Sequence, residues 1–261
     1  MTLPVSSRAL PVALSIAGSD SGAGAGIQAD LLAFASQGVF GTTAITCLTA
    51  QNPRGVSGVQ ACPAAFVVEQ CAQVAAHFQP RALKTGMLLN AEIVHAVAGF
   101  IRNSGIPAVV DPVMVASSGA TLLAPDAIAA VRTELLPLAA LVTPNLDEAS
   151  ILLGRKSRGG VEEALELART YGVPFLLKGG HAEGDDLTDC LAWPTGETKT
   201  FSARRAPQVD TGSGCTLSAA ITAQLAKGKT LAEAVTIAHA YLQGAIHGPI
   251  QVAGLNCIRH L

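Results

Sequence analysis

The chain has 261 residues, of which 49% are hydrophobic and 14% charged, and its formal net charge is −2. This composition excludes a disordered chain, and the near-neutral charge without a basic patch gives no support for nucleic-acid binding. No apolar run reaches the roughly 18 residues of a membrane-spanning helix. The 6 cysteines form no C-x-x-C pair and mostly lie in apolar segments, as buried thiols do in a reducing cytosol. We therefore expect a globular, cytoplasmic protein.

The predicted elements alternate between short apolar strands and helices. The first strand leads into a glycine-rich loop, although Arg8 and the apolar residues after it also have features of a signal peptide. The predicted strands are, in chain order, residues 12–17, 42–49, 55–61, 82–85, 108–111, 141–143 and 174–177, and a hairpin of 187–193 with 198–203. The predicted helices are residues 27–37, 63–77, 90–105, 125–136, 146–153, 161–171, 215–226 and 231–245.

Short apolar strands separated by helices indicate a mostly parallel sheet that helices cover on both faces. The late hairpin adds antiparallel strands at one edge. Because no repeat, low-complexity tract or linker is visible, a single domain over residues 1–261 is the simplest organisation. Ligands of such sheets bind beyond the carboxyl ends of the strands, so the loops there are the candidates for function.

The loop after the first strand has the sequence GSDSGAGAGIQAD, residues 18–30. Its Gly24-x-Gly26-x-x-Ala29 spacing imitates a dinucleotide fingerprint, but no acidic residue follows about 20 positions later to bind the ribose. The chain also contains no Gly-x-x-x-x-Gly-Lys-[Ser/Thr] sequence. A nicotinamide enzyme and a P-loop NTPase are therefore not expected. By spacing alone, Asp30 fits a solvated acid in the first turn of a helix.

A second glycine-rich segment, VDTGSGCT at residues 209–216, precedes an alanine-rich helix. Gly212 and Gly214 let the backbone approach a ligand, and the amides of the helix start suit a phosphoryl group in transfer. Cys215 lies at the positive end of this helix, where the pKa of a thiol falls. The alternative is a glycine-rich turn beside a buried cysteine, and the sequence does not decide between the two.

Other strand ends carry further candidates. Asn145 and Glu148 lie three residues apart at a helix start and could hold hydrated Mg²⁺ near phosphates, although the same pattern is a common capping box. Lys178, in the segment KGGH after a strand, can reach a phosphate or can be a surface lysine at a turn. The segment DPVM, residues 111–114, follows another strand.

In this order, the segments resemble those of the hydroxymethylpyrimidine/phosphomethylpyrimidine kinases, a ribokinase-like family of thiamine biosynthesis. The matching segments are AGSDSGAGAGIQAD, TAQN, KTGML, DPVMVASSG, TPNLDEA, LKGGH and GSGCTLSAAI. The most specific is the one with Cys215, because most ribokinase-like sugar kinases have an aspartate in that loop. The resemblance implies a three-layer α/β/α sandwich. It also implies phosphorylation of 4-amino-5-hydroxymethyl-2-methylpyrimidine, and then of its monophosphate, with ATP and Mg²⁺.

The resemblance further implies roles for individual residues. The pyrimidine pocket would be lined by Asp30, Gln51, Met87 and Val113. The residues that serve ATP would be Asn145, Lys178 and Thr211, with Glu148 holding Mg²⁺ indirectly. The anion hole would be formed by Gly212, Gly214 and the amide of Cys215. Cys215 is the candidate base for the hydroxyl proton, and Asp30 could instead accept it or orient the hydroxyl.

Two departures from the family pattern leave alternatives open. Gln51 stands where many members have Glu, and an amide can both donate and accept a hydrogen bond. A pyridoxal kinase, or a dual kinase, is therefore an alternative, and a non-catalytic binder of the pyrimidine phosphate is another. The anion loop reads VDTGSGC where many members have NTHGTGC.

The resemblance also implies a homodimer that acts on small molecules, and the composition of residues 116–121 fits a mobile loop.

Overall fold

A computed structural model of the protein describes residues 9–52, 55–114, 123–179, 186–204 and 212–260. Thr211 and the predicted mobile loop at residues 116–121 lie outside these residues.

The described strands form a nine-stranded sheet and a separate two-stranded hairpin. The sheet has the order β3-β2-β1-β4-β5-β6-β7-β8-β9. Neighbouring strands are parallel from β2 through β7, whereas β3, β8 and β9 pair antiparallel. The strands are β1 Val12–Asp20, β2 Phe40–Asn52, β3 Gly55–Ala61, β4 Ala82–Thr85, β5 Ala108–Val110, β6 Leu141–Val142, β7 Phe175–Leu177, β8 Asp186–Ala192, β9 Thr198–Arg204, β10 Ile250–Val252 and β11 Leu255–Cys257.

Eight α-helices connect the strands of the described chain. They are α1 Gly26–Ser36, α2 Ala64–Phe78, α3 Ala91–Ser104, α4 Pro125–Ala130, α5 Leu146–Leu153, α6 Val161–Tyr171, α7 Ser213–Ala226 and α8 Leu231–His247. The prediction of one regular α-helix over residues 125–136 is wrong. After α4 the chain continues as a π-helical turn, Val131–Leu135, and a 3₁₀ turn, Leu136–Leu138. Pro137 explains this ending, since proline has no amide hydrogen to donate and its ring displaces the preceding turn.

The helices form two layers, one on each face of the sheet. Helices α2 to α6 pack on one face, in the cluster that contains Leu14 and Ile16 of β1. Helices α1, α7 and α8 pack on the other face, where Ala13 points. This alternation along β1 is the two-residue period of a strand buried on both sides. The expected three-layer, mostly parallel α/β/α fold is confirmed.

The sequence prediction was incomplete at both ends of the sheet. The sheet has an antiparallel strand at each edge, β3 and β9, and not only at the edge formed by the late hairpin. The short hairpin of β10 and β11 was not predicted, because three-residue strands with mixed polarity give little periodicity. Within the described part of the chain, no helix combines the length and apolarity needed to cross a membrane.

Candidate active site

The glycine-rich loop after β1 is organised by a buried carboxylate. Asp20 accepts hydrogen bonds from the amides of Gly22, Gly24 and Ala25, at 2.8, 3.1 and 2.9 Å. At the end of this loop Gly26 has a φ of +59°, and a Cβ there would lie 2.5 Å from the Gly18 carbonyl oxygen. Glycine is therefore required where the loop turns into α1. No role for Asp20 was predicted from the sequence.

The second glycine-rich loop contacts the first. Gly212 has a φ of +89°, and a Cβ at this position would collide with the Gly24 carbonyl. A Cβ on Gly214 would lie 3.3 Å from Lys178 Nζ and 3.9 Å from Asp111 Oδ2. The start of α7 therefore opens directly onto a lysine and an acid. Backbone amides at a helix start beside an ammonium group suit an anionic ligand such as a phosphate.

Cys215 is half-buried in the first turn of α7. The amide of Gly26 donates a hydrogen bond to its sulfur. Burial raises the pKa of the thiol, the positive charge of Lys84 opposes this, and Asp30 adds to it. The sequence-based expectation of a lowered pKa is therefore wrong. Desolvation of a thiolate in this pocket outweighs the favourable helix end.

Lys178 follows β7 and pairs with the acid that follows β5. Its Nζ lies 3.2 Å from Asp111 Oδ1. That oxygen also accepts a hydrogen bond of 3.2 Å from Thr143 Oγ1, and Ser218 Oγ donates to Asp111 Oδ2 at 3.3 Å. Burial opposes the charged form of Lys178, but Asp111 and Glu148 outweigh it and raise the pKa of the lysine. Lys178 is thus held as a cation at the carboxyl ends of the strands.

Glu148 combines the two interpretations that the sequence left open. It forms a capping box with Asn145, since each backbone amide donates to the other side chain at 2.9 Å. Its other oxygen accepts a hydrogen bond of 3.2 Å from the Met114 amide. Burial raises the pKa of Glu148 to about 7, Lys178 opposes this, and the negative charge of Asp111 contributes to it. The residue therefore caps α5 and also belongs to the charged cluster around Lys178.

Asp30 lies elsewhere than the sequence suggested. Its side chain is 0% exposed and accepts two hydrogen bonds from Lys84 Nζ, at 2.8 and 3.0 Å. Ser15 Oγ donates a third, at 2.5 Å. The alternative of a solvated acid in the first helical turn is wrong. The carboxylate is engaged inside the protein by Ser15 of β1 and Lys84 of β4.

The remaining pocket candidates lie around the first loop and after β5. Gln51, near the end of β2, is joined to the loop by reciprocal hydrogen bonds between its backbone and Ser21 Oγ, at 2.7 and 2.8 Å. Met87 is half-buried, and its Cε lies 3.0 Å from the position of a Cβ on Gly18. Val113 is half-buried and has a φ of +40°, a strained conformation for a β-branched residue. Their contacts with a substrate stay predictions.

Two polar residues of the cluster, Lys84 and Ser218, were missed as functional candidates. The signal for Lys84 was its position inside the apolar strand Ala82–Thr85, where a charge requires a partner. Asp111 directly follows the buried strand β5 and opens the DPVM segment, which the sequence had already indicated as a candidate.

The acids of the cluster fit a magnesium ion. Among the residues that the structure describes, no group of three or more His, Cys, Asp or Glu side chains is arranged to hold a metal by itself. Mg²⁺ does not need such a cage, since it keeps several waters and binds one or two carboxylates together with phosphates. Burial raises the pKa of Glu148 and Asp111 raises it further, so a cation there would relieve an existing penalty.

Ribokinase-like kinases are the class that this fold and this site define, because the sheet presents a cation and a glycine-rich helix start suited to an anion at one edge. A family profile described as Phosphomethylpyrimidine kinase matches residues 20–257. The chain belongs to the phosphomethylpyrimidine kinase family.

Individual relatives agree with this assignment. The chain is 49% identical to a hydroxymethylpyrimidine/phosphomethylpyrimidine kinase of Rhizobium meliloti (strain 1021), over 90% of each chain. The crystal structure of phosphomethylpyrimidine kinase from Clostridium difficile 630 has a TM-score of 0.79 at 37% identity, covering 90% of this chain and 99% of that one. An ADP complex of Bacillus subtilis pyridoxal kinase has a TM-score of 0.87 at 33% identity, covering 97% and 98%.

Proposed function

We propose that this kinase transfers the terminal phosphoryl group of ATP to the hydroxymethyl group of 4-amino-5-hydroxymethyl-2-methylpyrimidine, and then to the monophosphate. The product would be the pyrimidine diphosphate of thiamine biosynthesis. The observation that carries the proposal is the convergence of Lys178, Asp111 and Gly214 at the start of α7. Family membership supplies the substrate class.

The nucleotide would be bound by the charged cluster and the second glycine-rich loop. Lys178 would contact a phosphate, exchanging part of its attraction to Asp111 for the ligand. The amides around Gly212, Gly214 and Cys215 would stabilise the charge on the transferring group, which is the main catalytic requirement of phosphoryl transfer. Asn145 would contribute to the ATP site, and so would Thr211, which lies outside the described residues.

Glu148 would hold Mg²⁺ through water, beside Asp111. The ion would neutralise charge on the phosphates when it is bound. The chain's own contribution is to fix Glu148 by its bonds to the amides of Asn145 and Met114, so that its carboxylate points at the cluster.

Cys215 would act on the substrate hydroxyl, with Gln51, Met87 and Val113 around the ring. The thiol would first release its proton to solvent, and the sulfur would then accept the hydroxyl proton as the new O–P bond forms and the bond to ADP breaks. Asp30, whose oxygens are bound by Lys84 and Ser15, would support the site without touching the substrate.

An ATP-consumption assay with separate acceptors tests this function. We expect turnover with the hydroxymethylpyrimidine and with its monophosphate, and ADP formation in proportion to the phosphorylated product. Turnover with pyridoxal alone, or binding of the pyrimidine without turnover, would overturn the proposal.

Pyridoxal phosphorylation is a second candidate activity, and two observations favour it. Gln51 can accept a hydrogen bond from the ring hydroxyl of pyridoxal or donate one to it, and the fold is close to a pyridoxal kinase, with a TM-score of 0.87. The same assay with pyridoxal as acceptor decides whether the enzyme is dual.

The organisation of the protein is part of the proposal. One sheet built from most of the described chain supports a single catalytic domain. Exposed apolar side chains on β2, β3 and α2 cluster near one edge of the sheet, and they support a homodimer. These side chains are Leu48, Val56, Val59 and Phe66. All six cysteines lie in the described residues and are free, which supports a cytoplasmic location. Sedimentation of the wild type and of Val59→Lys would test the dimer.

A further inference from the structure

A further acid lies beside the charged cluster, on β8, the strand next to β7. The side chain of Asp189 is 15% exposed, and its Oδ1 accepts a hydrogen bond of 2.8 Å from the Gly179 amide. No step of the proposed reaction uses this acid. Gly179, however, directly follows Lys178 in the chain. Asp189 therefore holds the main chain next to the lysine that faces the anion loop.

The hydrogen bond to Gly179 begins where the described pairing of β7 with β8 ends. The last described pair of these strands is Leu177 with Cys190. After this pair the two main chains stay so close that a Cβ on Gly179 would collide with the Thr188 carbonyl oxygen. Buried backbone amides require an acceptor, and here the carboxylate of Asp189 serves in place of the backbone carbonyl of a regular ladder.

The main chain around Lys178 is thus fixed from two sides. The amide of Lys178 donates to the Pro144 carbonyl at 2.9 Å, on the side of β6, and the next amide donates to Asp189, on the side of β8. From this base the lysine side chain extends to Asp111 and to the vicinity of Gly214. A flexible lysine side chain binds a phosphate more tightly when its base is already fixed, because less conformational freedom is lost on binding.

His239 of α8 lies on the other side of the acid. This residue is buried, and its ring packs against Phe201 of β9 with the ring centroids 5.5 Å apart. Its Nε2 lies 3.8 Å from Asp189 Oδ2, which is too long for a hydrogen bond. The carboxylate of Asp189 therefore lies between the packed ring of His239 and the Gly179 amide.

We infer that Asp189 is a positioning residue, which fixes the main chain after Lys178 and thereby places the lysine ammonium group for the phosphates of the nucleotide. This inference rests on the proposed function, in which Lys178 contacts a phosphate. Asp189 acts through the lysine and not on the substrate. Loss of the bond to Gly179 should therefore weaken binding of the nucleotide and leave binding of the pyrimidine unchanged.

Asp189→Leu and Asp189→Asn separate the hydrogen bond from other effects of the residue. Leucine offers no acceptor to the Gly179 amide, whereas the asparagine oxygen can accept the same bond and its amide group can donate to His239. The dissociation constant of ADP with magnesium is measured by calorimetry, and KM for ATP by kinetics. We expect both to rise at least ~10-fold in Asp189→Leu and to stay within a few-fold of the wild type in Asp189→Asn. KM for the pyrimidine should be unchanged in both variants.

A second measurement combines Asp189→Leu with Lys178→Met. Without the lysine, the acid has no ammonium group left to position, so Asp189→Leu should not lower the affinity for ADP any further. Asp126→Leu is the matched control, since it removes an exposed carboxylate that also accepts a backbone amide, and it should keep the affinity of the wild type. If Asp189→Leu does not fold, Asp189→Val makes the same comparison with a residue that suits a strand.

Three results would overturn the inference. They are wild-type affinity for ADP in folded Asp189→Leu, an equal loss of affinity in Asp189→Asn, and losses from Asp189→Leu and Lys178→Met that multiply in the double variant. A merely structural residue would change the free energy of unfolding without changing the affinity of the folded protein. Because the calorimetric measurement needs no turnover, a wild type that binds ADP but does not phosphorylate the pyrimidine would instead overturn the proposed function.

Discussion

Lys178 Nζ lies 3.2 Å from Asp111 Oδ1, so the lysine that follows β7 and faces the anion loop is held by the acid that follows β5, two strands away in the sheet. The two residues are 67 positions apart in sequence. Their meeting follows from the parallel arrangement of β5, β6 and β7, which brings the residues after these strands to one edge. The pair keeps a cation in place in the absence of phosphate.

Lys178→Met tests the contribution of that cation. We expect kcat/KM for ATP to fall by at least ~10²-fold, because a phosphate would lose a charged partner that stabilises it. The variant also leaves Asp111 unpaired, so Lys178→Met combined with Asp111→Asn separates loss of function from loss of folding. Lys227→Met, at the exposed end of α7, is the control and should keep wild-type kinetics. Equal kinetics in the Lys178 and Lys227 variants would remove Lys178 from the site.

Cys215→Ala tests the assignment of the base. We expect turnover to fall by at least ~10²-fold, within the range that a positioned base or an anion-stabilising group supplies. Affinity for the pyrimidine should stay within a few-fold, because the backbone amides of the loop remain. Cys257→Ala, which removes another half-buried thiol, serves as the control. Turnover close to wild type in Cys215→Ala would exclude the thiol from the mechanism.

Much of the fold could be predicted from the sequence, because its signals are local. The predicted strands at 55–61 and 82–85 and the predicted helices at 146–153 and 161–171 agree with the structure residue by residue. Asn90 and Gly105 end α3 as predicted, the first by capping its amides and the second with a φ of +65°. Turn and cap chemistry depends on a few neighbouring residues, and a single sequence contains it.

The arrangement of the site could be predicted only in part. The carboxyl-end rule predicted that the candidate loops lie together at one end of the strands, but pairing between distant side chains is not encoded in any short segment. Asp30 and Lys84 are 54 positions apart, and neither spacing nor periodicity indicates their contact. The pKa of Cys215 was misjudged for a related reason, since helix ends are visible in a sequence whereas burial depends on the packed structure.

Gln51→Glu tests the pocket. A carboxylate accepts from the exocyclic amine of the pyrimidine but repels an ionised ring hydroxyl, so we expect preference to move from pyridoxal towards the aminopyrimidine. The measurement is the ratio of kcat/KM for the two acceptors. Gln60→Glu, on the exposed strand β3, introduces the same charge away from the loop and should leave the ratio unchanged. An unchanged ratio in Gln51→Glu as well would show that residue 51 does not contact the ring.

Val113 offers a test of backbone strain. Its φ of +40° disfavours any side chain with a Cβ, whereas glycine adopts it readily. We expect Val113→Gly to have a free energy of unfolding about 1 kcal/mol higher than Val113→Ala, although glycine is normally the less stable of the two. Denaturant unfolding of both variants measures the difference. The same two substitutions at the buried helical residue Val97, Val97→Ala and Val97→Gly, should show the opposite order. An identical order at both sites would contradict the strain.

Glu148 predicts a specific pH dependence of stability. Burial raises the pKa of Glu148 in the folded protein from 4.5 to about 7. The folded state therefore binds a proton at Glu148 more tightly than the unfolded state does. The contribution of this proton to the free energy of unfolding has its full value below pH 4.5. It is lost as the pH rises through about 7, and the total loss is at most about 3 kcal/mol.

Glu148→Gln removes the titration while keeping the size of the side chain, so the comparison isolates this group. We expect the free energy of unfolding of the wild type, minus that of Glu148→Gln, to decrease between pH 4.5 and about 7 and to be constant above. The measurement is made in a chelator, so that no divalent cation binds the carboxylate. Glu92→Gln, in the first turn of α3, is the matched control for the same substitution at an exposed carboxylate. A difference that increases with pH would mean that hydrogen bonds from Asn145 and Met114 outweigh burial at this residue.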